Sequence, residues 1–312
     1  MWKVGGEKMK ILITGGYGFI GSHVVDKFHG EGHEVVIIDN LSTGKKKNVK
    51  NQHKSYIVNI SSKECDEIFI KEKFDIVVHL AAQVDVRTSI KDPLLDTESN
   101  ILGLVNILNL SKKYGVSKLV FASSAAVYGD QNALPLNEGT ICNPINPYGV
   151  NKLLGEYYCR QWTRLYDLDT LIFRFSNVYG PGQSELGESG VITTFIQKAL
   201  RQQEITVYGD GTQTRDFIFV GDLTEAISKS VQQGLSGIYN LSTNTETSVN
   251  QIMDLLKSET KIPNIHNSNW RDGDIRRSRL DNSKLVRQLN WVSKYPIEKG
   301  LALTFQAFNK PK

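Results

Sequence analysis

Two side chains that can take part in proton transfer lie four residues apart in the segment Pro147-Tyr148-Gly149-Val150-Asn151-Lys152. On a helix, residues at i and i+4 share one face, so Tyr148 and Lys152 would point to the same place. A tyrosine normally has a pKa near 10. A nearby ammonium group and a cationic nicotinamide stabilise the phenolate and lower that pKa. The pair therefore indicates acid–base chemistry that interconverts an alcohol and a ketone beside a hydride acceptor.

A serine that could assist this pair precedes it in the chain. The predicted strand Lys118–Ala122 runs into Ser123-Ser124-Ala125-Ala126. A serine at a strand end can hydrogen-bond the same substrate hydroxyl as the tyrosine, and we predict that Ser124 does so. An exposed helix face would also explain a bare YxxxK pattern. Its position after the serine strand, in a domain that begins with a glycine motif, favours the catalytic interpretation.

That glycine motif, with the spacing GxxGxxG, follows the predicted strand Ile11–Thr14. Gly15 would form the tight turn, Gly18 would let the backbone approach a pyrophosphate at a helix N-terminus, and Gly21 would allow close helix–strand packing. About 20 residues further on, where a ribose-binding carboxylate is expected, the second strand ends at Asp39. This carboxylate would repel a 2′-phosphate, so the sequence predicts NAD rather than NADP.

The elements around these motifs alternate between β-rich runs and helical patterns, which is typical of βαβ units. The helical segment Leu94–Tyr114, for example, carries apolar residues at helical spacing. The candidate strands are Ile11–Thr14, Glu34–Asp39, Ser55–Val58, Asp75–Leu80, Lys118–Ala122 and Thr170–Phe175. We predict an α/β fold with a doubly wound parallel (Rossmann) sheet, whose ligands lie beyond the carboxyl ends of the strands.

After Ser176 the pattern loosens, and a smaller mixed α/β domain is expected to bind the substrate. The strand-like runs Arg215–Val220 and Gly237–Leu241 are expected to return to the first domain. The predicted division is an extension at 1–8 that is expected to be disordered, a cofactor domain at 9–176 with return segments near 214–241, and a substrate domain at 177–213 and 242–312. Met9 is an alternative start.

Composition excludes several classes of protein. The 40% hydrophobic and 22% charged residues are ordinary for a soluble chain, and no apolar run approaches the roughly 18 residues of a membrane span. Cys65, Cys142 and Cys159 are far apart and lack metal-ligand spacing, which favours a reducing cytoplasm and no metal site. The net charge is +4, but no basic patch is interleaved with aromatics, so nucleic acid is not an expected partner. The run Lys45–Lys47 indicates an exposed loop, although a lysine there could still meet a phosphate.

From Met9 to about Ala307 the chain resembles the extended short-chain dehydrogenase/reductases of the nucleotide-sugar epimerase/dehydratase group, and within it the UDP-glucose (UDP-N-acetylglucosamine) 4-epimerases. The segments that carry the resemblance are Asp39-Asn40-Leu41-Ser42-Thr43-Gly44, His79-Leu80-Ala81-Ala82-Gln83, Arg174-Phe175-Ser176-Asn177-Val178-Tyr179-Gly180-Pro181, Gly209–Phe217 and Arg271-Asp272-Gly273-Asp274. It implies NAD as cofactor, a UDP-sugar substrate, and a homodimer formed through helices at 92–114 and 146–166.

The resemblance also implies roles for individual residues. The catalytic set is Ser124, Tyr148 and Lys152. The cofactor-binding set is Gly15, Tyr17, Gly18, Phe19, Ile20, Gly21, Asp39, Asn40, Ser42, Thr43, Gly44, Asn59, Ile60, Leu80, Ala81, Ala82, Gln83, Asn100, Ser123, Tyr148 and Lys152. The substrate-binding set is Ser124, Ala125, Asn177, Val191, Arg215, Arg271, Asp274 and Ser278. Arg215 and Arg271 would hold phosphate oxygens, and Asp274 would accept hydrogen bonds from a uridine ribose.

Departures from the family pattern help to choose between reactions that share an initial oxidation at C4. Dehydratases of this group carry an Asp-Glu pair after the catalytic Thr or Ser, and decarboxylases carry a Glu there. Ala125 and Ala126 occupy these positions and cannot transfer a proton. Ser184 stands where uronate-processing relatives place an Arg, which argues against a uronic acid. Asn59 stands where relatives often have an Asp that meets the adenine amine.

The resemblance therefore implies reversible C4 epimerisation of a UDP-hexose through a 4-keto intermediate, with transient reduction of NAD. Ser278 stands where a bulky Tyr in some epimerases excludes N-acetylated sugars, so UDP-GlcNAc and UDP-GalNAc are expected beside UDP-Glc and UDP-Gal. Alternatives are a 4,6-dehydratase or other NAD-dependent nucleotide-sugar enzyme, a dehydrogenase that releases NADH, and a non-catalytic NAD-binding regulator. The complete set of Ser124, Tyr148 and Lys152 disfavours the regulator.

Overall fold

The computed structural model describes residues 8–184, 190–262, 264–270 and 275–310. Within these residues it contains 13 β-strands. In the first half they are β1 (Lys10–Thr14), β2 (Glu34–Asp39), β3 (Lys54–Ile57), β4 (Ile76–His79), β5 (Lys118–Ser124) and β6 (Asp169–Phe175). Later strands are β7 (Asn177–Tyr179), β8 (Ile205–Tyr208), β9 (Thr214–Arg215), β10 (Phe217–Phe219), β11 (Gly237–Leu241), β12 (Thr247–Ser248) and β13 (Ile265–Ser268). The expectations for residues 1–7, Arg271 and Asp274 lie outside the described residues.

Helices fill the connections. They are α1 (Phe19–Gly30), α2 (Glu64–Glu72), α3 (Val86–Lys91), α4 (Pro93–Thr97), α5 (Gly103–Lys113), α6 (Pro147–Tyr166), α7 (Val191–Leu200), α8 (Val220–Gln232), α9 (Val249–Glu259), α10 (Ser283–Leu289) and α11 (Ile297–Phe308). A π-helical turn at Glu98–Leu102 joins α4 to α5, and 3₁₀ turns lie at Lys46–Asn48 and Ala125–Tyr128. Within the described part of the chain, no helix is both long and apolar enough to cross a membrane.

Seven of the strands form one parallel sheet in the order β11-β6-β5-β4-β1-β2-β3. Alternate residues of a strand point to opposite faces. Ile11 and Ile13 accordingly join the core that contains α1 and α8, whereas Leu12 joins the core that contains α2, α5 and α6. Both faces are covered, which explains why the central strands read as continuous apolar runs. The predicted doubly wound parallel fold is confirmed.

The later part of the chain builds a smaller core from α7, α9 and α11. Of the two runs expected to return to the first domain, Gly237–Leu241 joins the sheet as β11, beside β6. The run Arg215–Val220 forms no strand of this sheet, because β9 pairs with β12 and β10 pairs with β7, although Ile218 of β10 packs into the same core as α1 and α8. Asp216, which lies between β9 and β10 and is fully buried, explains the path of this segment. Its carboxylate accepts backbone hydrogen bonds from Thr243 and Asn244, which fastens the segment to the loop after β11.

Candidate active site

A cleft of about 490 Å³ opens at the carboxyl ends of the sheet strands. It lies where the strand order reverses between β1 and β4, the usual ligand position in such folds. Most of the sequence-predicted cofactor residues line it: Gly15, Gly18, Phe19, Ile20, Gly21, Asp39, Asn40, Ser42, Thr43, Asn59, Ile60, Leu80, Ala81, Ala82, Gln83, Ser123, Tyr148 and Lys152. Residues from separate βαβ units therefore converge on one cavity.

The glycine turn after β1 leaves no room for side chains. Gly15 has φ +69°, and a Cβ there would lie 2.8 Å from the amide nitrogen of Ala81. A Cβ on Gly21 would lie 2.0 Å from the carbonyl oxygen of Gly15. Helix α1 begins after Gly18, whose position as N-cap supplies no side-chain hydrogen bond. The first-turn amides therefore face the cleft as donors for phosphate oxygens, and this cradle fits the pyrophosphate of a dinucleotide.

Backbone groups hold the Asp39 carboxylate at the end of β2. Its Oδ2 accepts from the amide of Tyr17 at 2.9 Å, and its Oδ1 accepts from the amide of Leu41 at 2.7 Å. A Cβ on Gly44 would come within 3.1 Å of both oxygens. Tyr17 and Gly44 thus shape the site around Asp39 without lining the cleft. A fixed carboxylate with lone pairs left for hydroxyls suits a ribose and repels a phosphate, so these residues fit NAD.

The loop after β4 is fixed by a buried threonine. Thr14 Oγ1 accepts from the amides of Leu80 and Ala81, both at 3.2 Å, and lies 3.0 Å from Nδ1 of His79. Burial, aided by the positive charge of Lys152, lowers the pKa of His79 to about 3. The imidazole is therefore neutral, and its Nδ1 shares a hydrogen bond with the Thr14 hydroxyl. These hydrogen bonds fix the backbone of the loop Leu80–Gln83 where it lines the cleft.

Asn100, which we predicted to bind the cofactor, is 3% exposed and lies behind this loop. Its Oδ1 accepts from the amide of Gln83 and its Nδ2 donates to the carbonyl of Gln83, each at 3.0 Å. The residue does not line the cleft. Its two hydrogen bonds clamp the backbone at the end of the loop instead.

Tyr148 and Lys152 both line the cleft from the first turns of α6. The helix starts where the sequence favours it, because Asn146 accepts from the amide of Gly149 at 2.9 Å and Pro147 occupies the first turn. Lys152 is 5% exposed, and its Nζ donates to the carbonyl of Ala122 at 2.8 Å. The same Nζ lies 5.7 Å from the centre of the Tyr148 ring. An ammonium group is thus held beside the phenol at the end of β5.

The two serines after β5 have different surroundings. Ser123 Oγ donates to Oε1 of Glu156 at 2.6 Å, so its hydroxyl is engaged with α6. Ser124 is half-buried, and its Oγ accepts from the amide of Ala126 at 3.2 Å. Ser124 is not among the residues that line the cleft. The two residues that follow it, in the 3₁₀ turn, are alanines. A Cβ on Gly149 would lie 2.7 Å from the Ala126 carbonyl, which shows how closely α6 packs on this turn.

The described residues predicted to bind the substrate are not among those that line the cleft, and all of them except Ser124 and Ala125 lie in the later part of the chain. Arg215 is half-buried on β9. Its neighbour Thr214 donates a backbone hydrogen bond to the carbonyl of Arg276 at 3.0 Å, which brings β9 beside the segment that carries half-buried Ser278. The others occupy separate elements. Asn177 is the exposed first residue of β7, Val191 is the first residue of α7, and Ala125 begins a 3₁₀ turn.

Sequence reasoning missed a group of cleft residues that come from the α3–α5 segment. They are Val84, Asp85, Thr88, Leu95, Glu98 and Ser99. Asp85 accepts from the amide of Thr88 at 2.8 Å as the N-cap of α3, a pattern that could have been recognised. The others carry no motif. Asn48, Val58, Ala122, Phe175, Gly182 and Ser184 also line the cleft and were not predicted as cofactor residues.

Comparison with known proteins gives close relatives over nearly the whole chain. Residues 11–242 match the NAD dependent epimerase/dehydratase family. The UDP-glucose 4-epimerase of Thermotoga maritima, solved with UDP-glucose, is 40% identical, with a TM-score of 0.92 over 96% of this chain and 98% of that one. The UDP-glucose 4-epimerase of Thermus thermophilus, solved with NAD, is 35% identical with a TM-score of 0.91, over 96% and 99%. The UDP-N-acetylglucosamine 4-epimerase of Methanobrevibacter ruminantium, solved with UDP-N-acetylmuramic acid, is 32% identical with a TM-score of 0.91, over 97% and 98%.

Proposed function

The chain belongs to the NAD dependent epimerase/dehydratase family and is an NAD-dependent epimerase, and from this premise we propose that it inverts C4 of a UDP-hexose. One observation supports this choice of reaction most directly. Tyr148 and Lys152 meet in the cleft, while Ala125 and Ala126 occupy the turn against which α6 packs. The acid–base pair for oxidation and reduction is present, and the alanines offer no proton for elimination or decarboxylation.

The proposed reaction uses each side chain in a defined way. Bound NAD supplies a hydride acceptor and donor. Tyr148, as a phenolate stabilised by the ammonium group of Lys152, takes the proton of the C4 hydroxyl at Oη and becomes a neutral phenol, while the hydride of C4 passes to NAD. Ser124 follows cleft-lining Ser123 at the end of β5, and it would hydrogen-bond the same hydroxyl of a substrate that extends beyond the cofactor cleft. The 4-keto sugar then rotates so that its other face meets the cofactor. When C4 is reduced on that face, Tyr148 returns the proton to the C4 oxygen, and C4 has the opposite configuration.

The nucleotide half of the substrate is proposed to lie in the smaller domain, residues 177–213 and 242–312. Arg215 would hold a phosphate, because guanidinium groups offer forked donors. β9 and the segment before Ser278 are joined by the Thr214–Arg276 hydrogen bond, so residues on the two segments can act on one ligand. Arg271 and Asp274 are proposed to complete this nucleotide-binding site. Asn177 and Val191 are proposed to contact the diphosphate and its surroundings.

We propose that both sugar pairs are substrates, UDP-Glc/UDP-Gal and UDP-GlcNAc/UDP-GalNAc. The small side chain of Ser278 supports the second pair, because it leaves space for a 2-acetamido group. Kinetics of both pairs with the wild-type enzyme and Ser278→Tyr test this. The substitution should lower kcat/KM for the N-acetylated pair by at least about tenfold, and an unchanged ratio of the two pairs would refute the role of Ser278.

A homodimer is also proposed, through the α4–α5 segment and α6. Several large apolar side chains are exposed there, among them Leu94 at 82% and Leu102 at 58%. On α6, Val150, Leu154 and Tyr157 follow a helical spacing and are 42%, 41% and 51% exposed. A row of this kind is typical of an interface rather than of a solvated helix. Light scattering during gel filtration should give twice the chain mass, and a monomer for Leu154→Arg.

The reaction is tested by incubating the enzyme with UDP-GlcNAc or UDP-glucose and resolving the products by NMR of the anomeric protons. The galacto epimer should appear without net absorbance at 340 nm. Tyr148→Phe should reduce turnover to a few per cent or less, whereas Tyr166→Phe at the other end of α6 should not. A 4-keto-6-deoxy product would refute the inference from Ala125 and Ala126. Steady NADH accumulation would instead show a dehydrogenase.

A further inference from the structure

A fully buried carboxylate, Asp96 of α4, lies behind the loop Leu80–Gln83. Its Oδ1 accepts from Nε2 of Gln83 at 2.6 Å and from Nδ2 of Asn100 at 2.9 Å. Its Oδ2 accepts from Nδ2 of Asn151 at 2.7 Å. Side-chain amides from three separate segments of the chain therefore converge on one acid.

All three segments contribute residues to the cleft that the epimerase reaction needs. Gln83 ends the loop that lines the cofactor side, and Asn100 clamps its backbone from behind. Asn151 lies in α6, next to Lys152 and less than one turn from Tyr148. Asp96 thus connects the loop on which the cofactor would rest to the helix that carries the acid–base pair.

The helix that carries Asp96 has an unusual continuation. A π-helical turn begins at Glu98, two residues after Asp96, and contains Asn100. Such a turn inserts one residue into a helix and occurs mostly at functional sites. Asp96 and Asn100 both contact the loop that ends at Gln83, while Glu98 and Ser99 of the π-helical turn line the cleft.

Holding two helices together does not require a buried acid, because apolar packing does so with no desolvation penalty. A carboxylate is an acceptor at both oxygens, so three amide donors fix its position from three directions. We propose that Asp96 is a positioning residue for the epimerase reaction: it sets the distance between Tyr148 on α6 and the loop Leu80–Gln83. This inference rests on the proposed function, since the group that it positions is the proposed base.

The first test is the isosteric variant Asp96→Asn. One acceptor becomes an NH₂ group that faces an amide donor, so one of the three contacts breaks. Displacing a catalytic group by about 1 Å can lower the rate up to a hundredfold, and we expect kcat to fall at least about tenfold. KM should change less than about threefold, because the substrate contacts are not touched.

The double variant Asp96→Asn with Asn151→Asp exchanges donor and acceptor across the same contact. The new side-chain amide at position 96 can donate to the new carboxylate at position 151, while its oxygen still accepts from Gln83 and Asn100. We expect kcat to return to within about threefold of the wild type. This double variant keeps the charge and the hydrogen bonds of the cluster, so it also serves if Asp96→Asn does not fold.

A kinetic isotope effect separates positioning from simple loss of folded enzyme. With substrate deuterated at C4, the isotope effect on kcat should increase in Asp96→Asn, because hydride transfer becomes slower relative to other steps. It should return to the wild-type value in the double variant. NAD affinity, measured by titration of tryptophan fluorescence, and the melting temperature are followed in parallel as readouts that do not depend on turnover.

Asp222 on α8 offers a matched control. It is also fully buried, and its carboxylate accepts from Ser293 Oγ at 2.5 Å and from the amides of Lys294 and Tyr295 at 2.9 and 3.1 Å. Asp222→Asn should lower the melting temperature while kcat and the isotope effect stay at wild-type values. This control measures how the same Asp→Asn change affects stability and kcat when the buried carboxylate, which also accepts three hydrogen bonds, lies outside the cleft.

The outcomes are distinct. Asp96→Asn with unchanged kcat and isotope effect overturns the inference, and so does a double variant that folds without recovering turnover or does not fold. Both results leave the proposed function intact if the wild-type enzyme epimerises. A wild-type enzyme that does not epimerise either sugar overturns the proposed function and this inference with it.

Discussion

Replacing Arg174 by Met tests the buried ion pair below the active site. Nε and Nη2 of Arg174 donate to the two carboxylate oxygens of Glu156 at 2.9 and 2.7 Å. The two residues are 4% and 2% exposed. Glu156 also accepts the hydroxyl proton of Ser123, and the guanidinium carbon lies 4.8 Å from the centre of the Tyr128 ring. The pair therefore joins α6, β5 and β6 beneath the catalytic residues.

The expected loss follows from what remains after the substitution. Met replaces much of the arginine volume but leaves Glu156 buried beside a single hydroxyl donor. Removing one partner of a buried pair lowers the free energy of unfolding by about 3–5 kcal/mol. A loss of this size would lower the melting temperature by roughly 10 °C. The double variant Arg174→Met with Glu156→Leu removes both charges, and only the hydrogen bonds to Ser123 and to the Glu138 carbonyl, worth about 1 kcal/mol each, should then be lost.

Urea unfolding followed by tryptophan fluorescence measures both variants. The double variant should be more stable than Arg174→Met, although it changes one residue more. Lys257→Met removes an exposed partner of Asp254, where the two side chains are 53% and 72% exposed, and should change stability by less than about 1 kcal/mol. If Arg174→Met behaves like this control, or if the double variant loses as much as the two single variants together, the assigned role of the buried pair is wrong.

Three further predictions concern single positions. Gly21→Ala should weaken NAD binding at least about tenfold in a fluorescence titration, because its Cβ would lie 2.0 Å from the Gly15 carbonyl, whereas Gly30→Ala, with open space around it, should not. Tyr179→Phe removes a buried hydroxyl that has no hydrogen-bond partner among the described residues, so denaturant unfolding should show equal or higher stability, and a loss above about 1 kcal/mol would contradict this. Burial lowers the pKa of His79 to about 3, so the unfolded chain binds the extra proton between that value and about 6.5. The free energy of unfolding that the neutral ring contributes is then fully present above pH 6.5 and is about 2 kcal/mol smaller at pH 5. The free energy of unfolding of His79→Gln should therefore fall by about 2 kcal/mol less than that of the wild type between pH 7 and pH 5.

The sheet could be predicted because its signals are local. Runs such as Lys118–Ala122 are apolar at nearly every position, as strands covered on both faces must be. The glycine turn and Asp39 could be placed for the same reason, since backbone space and a strand end are properties of neighbouring residues. Arg215–Val220 has the same apolar character, yet it joins short strands outside the sheet. Its course depends on Asp216 and its partners around residue 243, which no local pattern reveals.

The candidate site shows the same division. Tyr148 and Lys152 were recognisable from a spacing of four on one helix, and both line the cleft. Asp96 was missed because a single acid after two leucines looks like an exposed helix position. Only the fold brings it next to Gln83 and Asn151. Asn100 stays a predicted cofactor residue that does not line the cleft, and its two hydrogen bonds to the backbone of Gln83 join residues 17 positions apart, which no local pattern reveals.

The position of β11 has a consequence for how the chain is made. β6 ends at Phe175, and the strand that covers its free edge ends only at Leu241. Ribosomes add about 5–20 residues per second, so several seconds of synthesis separate the two strands. During that interval the nascent chain exposes an apolar strand with unpaired backbone groups, the kind of edge that pairs with other chains. The interval between the synthesis of β6 and that of β11 is therefore a stage at which the chain can aggregate, and slower translation between the two strands would prolong it.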